Sequence, residues 1–287
     1  MEKSPNRLKV LEKIEKLEIE KRWDEDVEDD PETKELLPNK IDYLNKKLTS
    51  KIACSFANRA GTAFFENMIK NKQLIIKDIR GIENFLKVDG GAIITCNHFN
   101  VADNYAIWRA IKPYMGKKKL WKVIREGNYT NPPALFGFIL RNCNTLPLSK
   151  NTQTMKKFLA SIKVLLTRGE KVLVYPEQGM WWNYRKPRPL KNGAFNFAVT
   201  SKVPVIPAFI TMEDSENLDG DGFPVQEYTV HFMKPIYPDE NLTKSQNVEK
   251  MKDENYKVWV KTYEDFYKKK LKYLEKSPTE EKKSKNK

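Results

Sequence analysis

Three short polar clusters stand where an apolar, strand-like run gives way to a turn, and their residue types are those of acid–base chemistry. The first, Cys96-Asn97-His98-Phe99-Asn100-Val101-Ala102-Asp103, follows Ala92-Ile93-Ile94-Thr95, and His98 is one of two histidines in the chain. If a helix begins just after His98, Asp103 lies in its first turns and its carboxylate can reach the imidazole. There it would fix the tautomer and support the imidazolium, which makes a usable general base. A His/Asp pair without an accompanying Ser or Cys nucleophile implies that the base acts on a hydroxyl or water brought by a substrate. The second cluster, Tyr175-Pro176-Glu177-Gln178-Gly179, follows Val172-Leu173-Val174 and puts an acid at a strand end beside a glycine. The third, Lys202-Val203-Pro204-Val205-Ile206-Pro207, brackets an apolar strand with two prolines, a pattern of edge strands or strand starts. His98 also fits a hydrogen-bonded residue capping a strand end, with Asp103 as a helix N-terminal residue; the second cluster weighs toward a site. His231, inside the alternating run Tyr228 to Phe232, reads as structural.

The elements that must hold these clusters are legible as short β-rich runs alternating with helical ones. Strand-like runs cover Leu74 to Ile76, Ala92 to Cys96, Leu120 to Ile124, Thr145 to Leu148, Val172 to Tyr175, Val205 to Ile210 and Tyr228 to Phe232. Helical spacing covers Ala102 to Ile111, Thr152 to Arg168 and Asn192 to Ser201. This alternation predicts an α/β fold with a mostly parallel central sheet flanked by helices. Near-continuous apolar strands fit burial on both faces, and ligands of such sheets gather beyond the carboxyl ends of the strands. The predicted organisation is an acidic helical appendage over residues 1–40, with its helix at Leu8 to Trp23. Two amphipathic helices broken near Gly61 follow within 41–73 as a candidate membrane-surface anchor. The catalytic domain spans 74–240, a C-terminal helix 241–275 with its core at Val248 to Leu274, and a Lys-rich disordered tail 276–287.

Composition narrows the class. Of 287 residues, 40% are hydrophobic and 31% charged, enough apolar material for a sizeable core and against global disorder. No run approaches the roughly 18–20 apolar residues of a spanning helix, so no transmembrane segment is expected. The opening residues carry no apolar core of a cleaved leader. Three cysteines, Cys54, Cys96 and Cys143, have no metal-site spacing and fit free thiols in a reducing cytoplasm. The net charge of +14 is unevenly placed: residues 1–40 carry −4, leaving +18 on the rest. The excess peaks at +7 over residues 111–150, and residues 178–212 hold Arg185, Lys186, Arg188, Lys191 and Lys202 with no acid. Local fields of this kind attract phosphates.

In order along the chain, the clusters resemble the blocks of the glycerophospholipid acyltransferases, the family that includes 1-acyl-glycerol-3-phosphate acyltransferase. Asn97-His98 through Asp103 matches its first block, Asn-His-x4-Asp. Leu135-Phe136-Gly137-Phe138 through Leu146-Pro147-Leu148-Ser149-Lys150 is similar to the second block and its lead-in, which normally ends in Arg. Tyr175-Pro176-Glu177 resembles the start of the third, Phe-Pro-Glu-Gly-Thr-Arg, and Val203 to Pro207 the fourth. Lys191-Asn192-Gly193-Ala194 is similar to the segment after the third block. Two departures fall on acceptor recognition. Gln178, Gly179 and Met180 replace Gly-Thr-Arg, with the next arginine at Arg185, and Lys150 stands where an arginine would grip phosphate with a bidentate fork.

The resemblance implies a glycerol-3-phosphate acyltransferase-like fold and direct acyl transfer. His98 would deprotonate an acceptor hydroxyl, Asp103 would orient His98, and the acceptor oxygen would attack the thioester carbonyl of the donor. It implies acceptor-binding roles for Asn97, Lys150, Glu177, Gln178, Gly179 and Arg185, with Arg125 or Arg141 as further phosphate ligands. The expected partners are a lysophospholipid or glycerol phosphate acceptor, an acyl-CoA or acyl-carrier protein donor, and an anionic membrane surface; no cofactor, metal or nucleic acid is expected. The expected location is cytoplasmic, peripheral on the inner face of a membrane. Competing readings are a catalytically idle lipid-binding relative and a nucleic-acid-binding protein, the latter raised by Trp181-Trp182-Asn183-Tyr184-Arg185-Lys186.

Overall fold

The computed structural model describes residues 2–28, 32–132 and 134–275. In chain order the main elements are α1 (Pro5–Ile19), α2 (Leu48–Lys70), β1 (Ile75–Arg80), α3 (Ile82–Leu86), β2 (Ala92–Thr95), α4 (Asp103–Ile111), β3 (Leu120–Ile124) and α5 (Glu126–Thr130). They continue with α6 (Ala134–Asn142), β4 (Thr145–Pro147), α7 (Thr152–Thr167), β5 (Lys171–Val174), α8 (Gly193–Ser201), β6 (Val205–Leu218), β7 (Pro224–Phe232) and α9 (Lys244–Tyr267). The strands form one sheet in the order β1-β7-β6-β2-β5-β3-β4, parallel throughout except for the β6–β7 hairpin.

Both faces of the sheet are covered, as the apolar strands require. Successive side chains of a strand point to opposite faces, so Ile94 joins a core with Ile107 and Ile111 of α4 while Ile93 joins one with Phe158 and Ile162 of α7. Ile93 and Ile94 are fully buried, each contributing roughly 1.5–3 kcal/mol. The flanking helices start where capping groups allow. Asn151 accepts from the backbone N–H groups of Gln153 and Thr154 to open α7, and Thr243 with Gln246 forms a capping box at α9.

Three expectations need correction. Residues 41–73 hold one continuous 23-residue helix, α2, rather than two helices broken at Gly61. A helix-interior glycine costs only about 1 kcal/mol, and Gly61 faces Cys143 and Ile139 of the α6 region, whose packing keeps the helix whole. Residues 1–40 are no appendage: Ile14, Leu17 and Val27 share a third apolar cluster with Trp181, and Trp23 stacks on Trp181 at 5.8 Å. Glu18, Asp24 and Asp26 pair with Lys186, Lys191 and Arg125 across the domain, which helps hold the segment down. Finally, of the two readings of the proline-bracketed run, a strand start holds at Pro204, just before β6 opens at Val205, but an edge does not, since the strand bearing Pro207 is central. Pro207 is the last residue of β6 in register with β2, opposite Thr95, and β7 begins pairing at Ala208, so the missing N–H falls where β6 exchanges neighbours. The Lys-rich tail, residues 276–287, lies outside the described residues. No described helix is long and apolar enough to cross a membrane.

Candidate active site

Because β2, β5, β3 and β4 run parallel and adjacent, the turns that leave their carboxyl ends share one edge of the sheet. Those turns carry His98, Glu177, Arg125 and Lys150 respectively. β2 stops at Thr95, but its line continues through Asn97, whose amide stands in for a backbone pair. Asn97 Nδ2 donates to the Ile210 carbonyl at 3.0 Å, and its Oδ1 accepts from the Ile210 N–H at 2.8 Å. Asn97 is 2% exposed and its amide is committed to β6, so its expected acceptor-binding role is corrected to a structural one.

His98 is held at four points. Its N–H donates to Glu177 Oε2 at 3.2 Å and its carbonyl accepts from the Trp181 N–H at 3.1 Å. Its ring stacks on Tyr175 with centroids 4.0 Å apart, and Nδ1 lies 2.8 Å from Asp103 Oδ2. Asp103 opens α4, and the same Oδ2 accepts from the N–H groups of Phe99 and Asn100 at 3.2 and 3.3 Å. Oδ1 accepts from the Tyr175 hydroxyl at 2.6 Å. Every hydrogen-bond partner of this carboxylate is then a donor, which requires Nδ1 to carry the hydrogen and leaves Nε2 with its lone pair. The Asp103 side chain is fully buried while that of His98 is 21% exposed, so the carboxylate is shielded and the imidazole is reachable.

Charges around the pair sort the remaining candidates. Burial pushes the Tyr175 hydroxyl well up, and Asp103 beside it pushes the same way, so the phenol remains a donor. Burial likewise raises the Cys96 thiol, with Asp103 and Glu177 adding to it, so Cys96 is no thiolate nucleophile. Glu177 is buried and is answered by Arg188, whose N–H and Nη2 donate to it at 2.7 and 3.1 Å. Arg188 also donates to the Gly179 carbonyl and lies 4.6 Å over the Trp181 ring. Gln178 takes the left-handed φ of 68° that lets the turn after β5 close.

Two expected acceptor ligands sit elsewhere than foreseen. Arg185 donates to Asp214 at 2.6 Å and Gln226 at 3.0 Å on the β6–β7 hairpin, so its fork is not joined to Glu177; Arg188 takes that place. Arg141 donates to the backbone carbonyls of Tyr129 and Pro132. Lys150 leaves β4 with its N–H on Glu126 Oε2 at 3.2 Å. Burial alone would raise Glu126, but the N–H groups of Leu36 and Lys150 and the Ser149 hydroxyl hold it below the usual carboxylate range. Arg125, leaving β3, makes a two-pronged pair with Asp26, Nη1 to Oδ2 at 2.6 Å and Nη2 to Oδ1 at 2.5 Å. His231 pairs with Phe209 in the β6–β7 ladder and bonds Thr211 Oγ1 through Nε2 at 2.9 Å, as a structural residue.

Tyr175 and Arg188 are the site residues that the sequence reading missed. In the sequence Tyr175 reads as the end of a strand, and Arg188 lies eleven residues beyond its partner Glu177. The available signal was chemical: a buried acid in a basic stretch requires one of its arginines.

No curated protein matches the chain. Its fold is similar to the crystal structure of the 1-acyl-sn-glycerophosphate (LPA) acyltransferase PlsC from Thermotoga maritima, with 19% identity over 78% of this chain and 81% of that one and a TM-score of 0.49. The family model described as Acyltransferase matches residues 77–211, from β1 into β6, a segment that holds His98, Asp103, Tyr175, Glu177 and Arg188. Over residues 77–211, then, the chain is similar to the acyltransferase family.

Proposed function

We propose that the protein transfers an acyl group from a thioester donor to a hydroxyl of a lysophospholipid or glycerol phosphate acceptor, with His98 as general base and Asp103 as its support. The observation that carries this reading is the 2.8 Å contact between His98 Nδ1 and the buried Asp103 carboxylate, with Nε2 left as the reachable basic nitrogen. Nε2 takes the acceptor hydroxyl proton as that oxygen attacks the thioester carbonyl. The carbon–sulfur bond then breaks, and the imidazolium returns the proton to the leaving thiolate. Asp103 stabilises the imidazolium in between, and a base of this kind contributes typically about 10²–10⁴ in rate.

The substrates live at a bilayer surface, and one face of the molecule suits it. Leu48, Ile52, Phe56 and Phe64 of α2 and Leu135 and Phe136 of α6 are exposed. The two helices meet at Phe56 and Phe138, 6.0 Å apart. Lys47, Lys51, Arg59 and Lys70 flank the apolar residues along α2, a composition that fits peripheral attachment to an anionic leaflet. On this reading the enzyme works from the cytoplasmic side with acyl-CoA or acyl-carrier protein as donor.

The test is mass spectrometry of the lipids formed when purified protein meets a mixed lysophospholipid extract with each donor. A diacyl product dependent on the thioester is expected. Free fatty acid as the sole product would replace the transferase reading with a thioester hydrolase.

A further inference from the structure

Five basic residues on the segments that leave β3 and β5 are already matched by carboxylates. Arg125 pairs with Asp26, Lys191 with Asp24, Lys186 with Glu18, Arg188 with Glu177 and Arg185 with Asp214. Three of those five carboxylates come from residues 18–26, the acidic stretch that the charge count had set apart. Its backbone is pinned: Trp23 stacks on Trp181, Trp181 Nε1 donates to the Glu25 carbonyl at 2.9 Å, and Val27 is buried in the same cluster. Asp26 therefore sits at a fixed place. A Cβ on Gly179 would lie 3.3 Å from Asp26 Oδ1 and 3.5 Å from Arg125 Nη2, which puts this ion pair two residues past the Glu177 that holds the His98 backbone. Both partners remain partly exposed, so an acceptor head group arriving at this edge meets them together.

We infer that Asp26 is a specificity-determining residue which, by sharing Arg125, selects zwitterionic lysophospholipids over those ending in a phosphomonoester. The inference rests on the acyl-transfer reading above and names its acceptor class. A phosphomonoester carries nearly two negative charges near neutral pH. To use Arg125 it must crowd against Asp26, and like charges so placed are strongly unfavourable. A phosphodiester with an ammonium in its head group matches the pair as it stands, its single negative charge facing Arg125 and its ammonium facing Asp26.

The test is an internal competition. Equal amounts of lysophosphatidylcholine and lysophosphatidic acid with the same acyl chain share one tube with enzyme and acyl-CoA, or acyl-carrier protein if that is the active donor, and products are counted by mass spectrometry. Wild-type enzyme is expected to favour the zwitterionic acceptor, and Asp26→Asn to shift the product ratio toward phosphatidic acid by about tenfold, the effect of relieving one close like-charge contact. A wild-type preference for lysophosphatidic acid overturns the inference, with no variant needed. So does an unchanged ratio in both Asp26→Asn and Asp26→Ser. Absence of acyl transfer to either acceptor from either donor overturns the acyl-transfer reading, and the inference with it.

Discussion

The Tyr175 hydroxyl donates to Asp103 Oδ1 at 2.6 Å while the Tyr175 ring lies 4.0 Å from the His98 imidazole, so one side chain just past β5 touches both members of a pair carried by the turn after β2 and the start of α4. The third block of the acyltransferase pattern begins with Phe, which would supply the ring without the hydroxyl. Tyr175 is thus a positioning residue with two separable contributions. Tyr175→Phe keeps the stack and removes a hydrogen bond to a carboxylate, a contribution of about 1.5–3 kcal/mol. The expected result is a kcat lowered roughly tenfold or more with KM within about twofold; steady-state kinetics check it, and an unchanged kcat would remove Tyr175 from the positioning scheme.

The Glu177–Arg188 pair is almost wholly buried, with side-chain exposures of 2% and 1%. Arg188→Met leaves Glu177 unpaired in the interior beneath the His98 backbone, a change that costs about 3–5 kcal/mol in comparable buried pairs. Urea unfolding is expected to show that loss in Arg188→Met. Arg185→Met, whose partner Asp214 is half exposed, is expected to lose about 1 kcal/mol or less.

His231 gives the fold a pH dependence that is separate from the site. Burial, with Arg80 adding to it and Asp78 opposing, lowers His231 from 6.5 to about 4. It is neutral in the folded protein over a range where the unfolded chain binds a proton. Its contribution is therefore fully present above pH 6.5 and is lost as pH falls toward 4, up to about 2–3 kcal/mol. Denaturant midpoints measured from pH 7 to pH 4 are expected to fall for wild type and to fall less for His231→Gln.

The exposed apolar face of α2 and α6 predicts salt-reversible co-sedimentation with vesicles containing anionic lipid. Replacing Phe56, Phe64 and Phe136 together by Ser is expected to weaken sedimentation by about tenfold or more, since each buried aromatic contributes roughly 1.5–3 kcal/mol. Equal binding by the triple variant would move the membrane contact to another face.

What was legible in the sequence is what depends on short range. The apolar runs located the strands, and the polar residues just past them located His98, Asp103 and Glu177, because a parallel sheet collects its strand ends at one edge. The role of Asn97 is not legible locally, because its amide replaces a backbone pair with Ile210, a partner 113 residues away. The N-terminal segment reads as an appendage because its acid run has the composition of a solvated linker, and its partner for Asp26, Arg125, is 99 residues distant. Proximity in sequence favours Arg185 over Arg188 as the partner of Glu177. The turn geometry around the left-handed Gln178 places the farther arginine on Glu177. The hand-over of β6 from β2 to β7 at Pro207 is likewise a property of the sheet rather than of the local run.

The most direct measurement is acyl transfer by His98→Ala, with circular dichroism and thermal unfolding confirming a retained fold and the lipid product quantified from a thioester donor and a lysophospholipid. With His98 as the general base, turnover falls by at least about 10²-fold while Tyr175, Asp103 and Glu177 remain in place. Transfer retained within a few-fold of wild type would contradict the assignment of His98 and, with it, the mechanism.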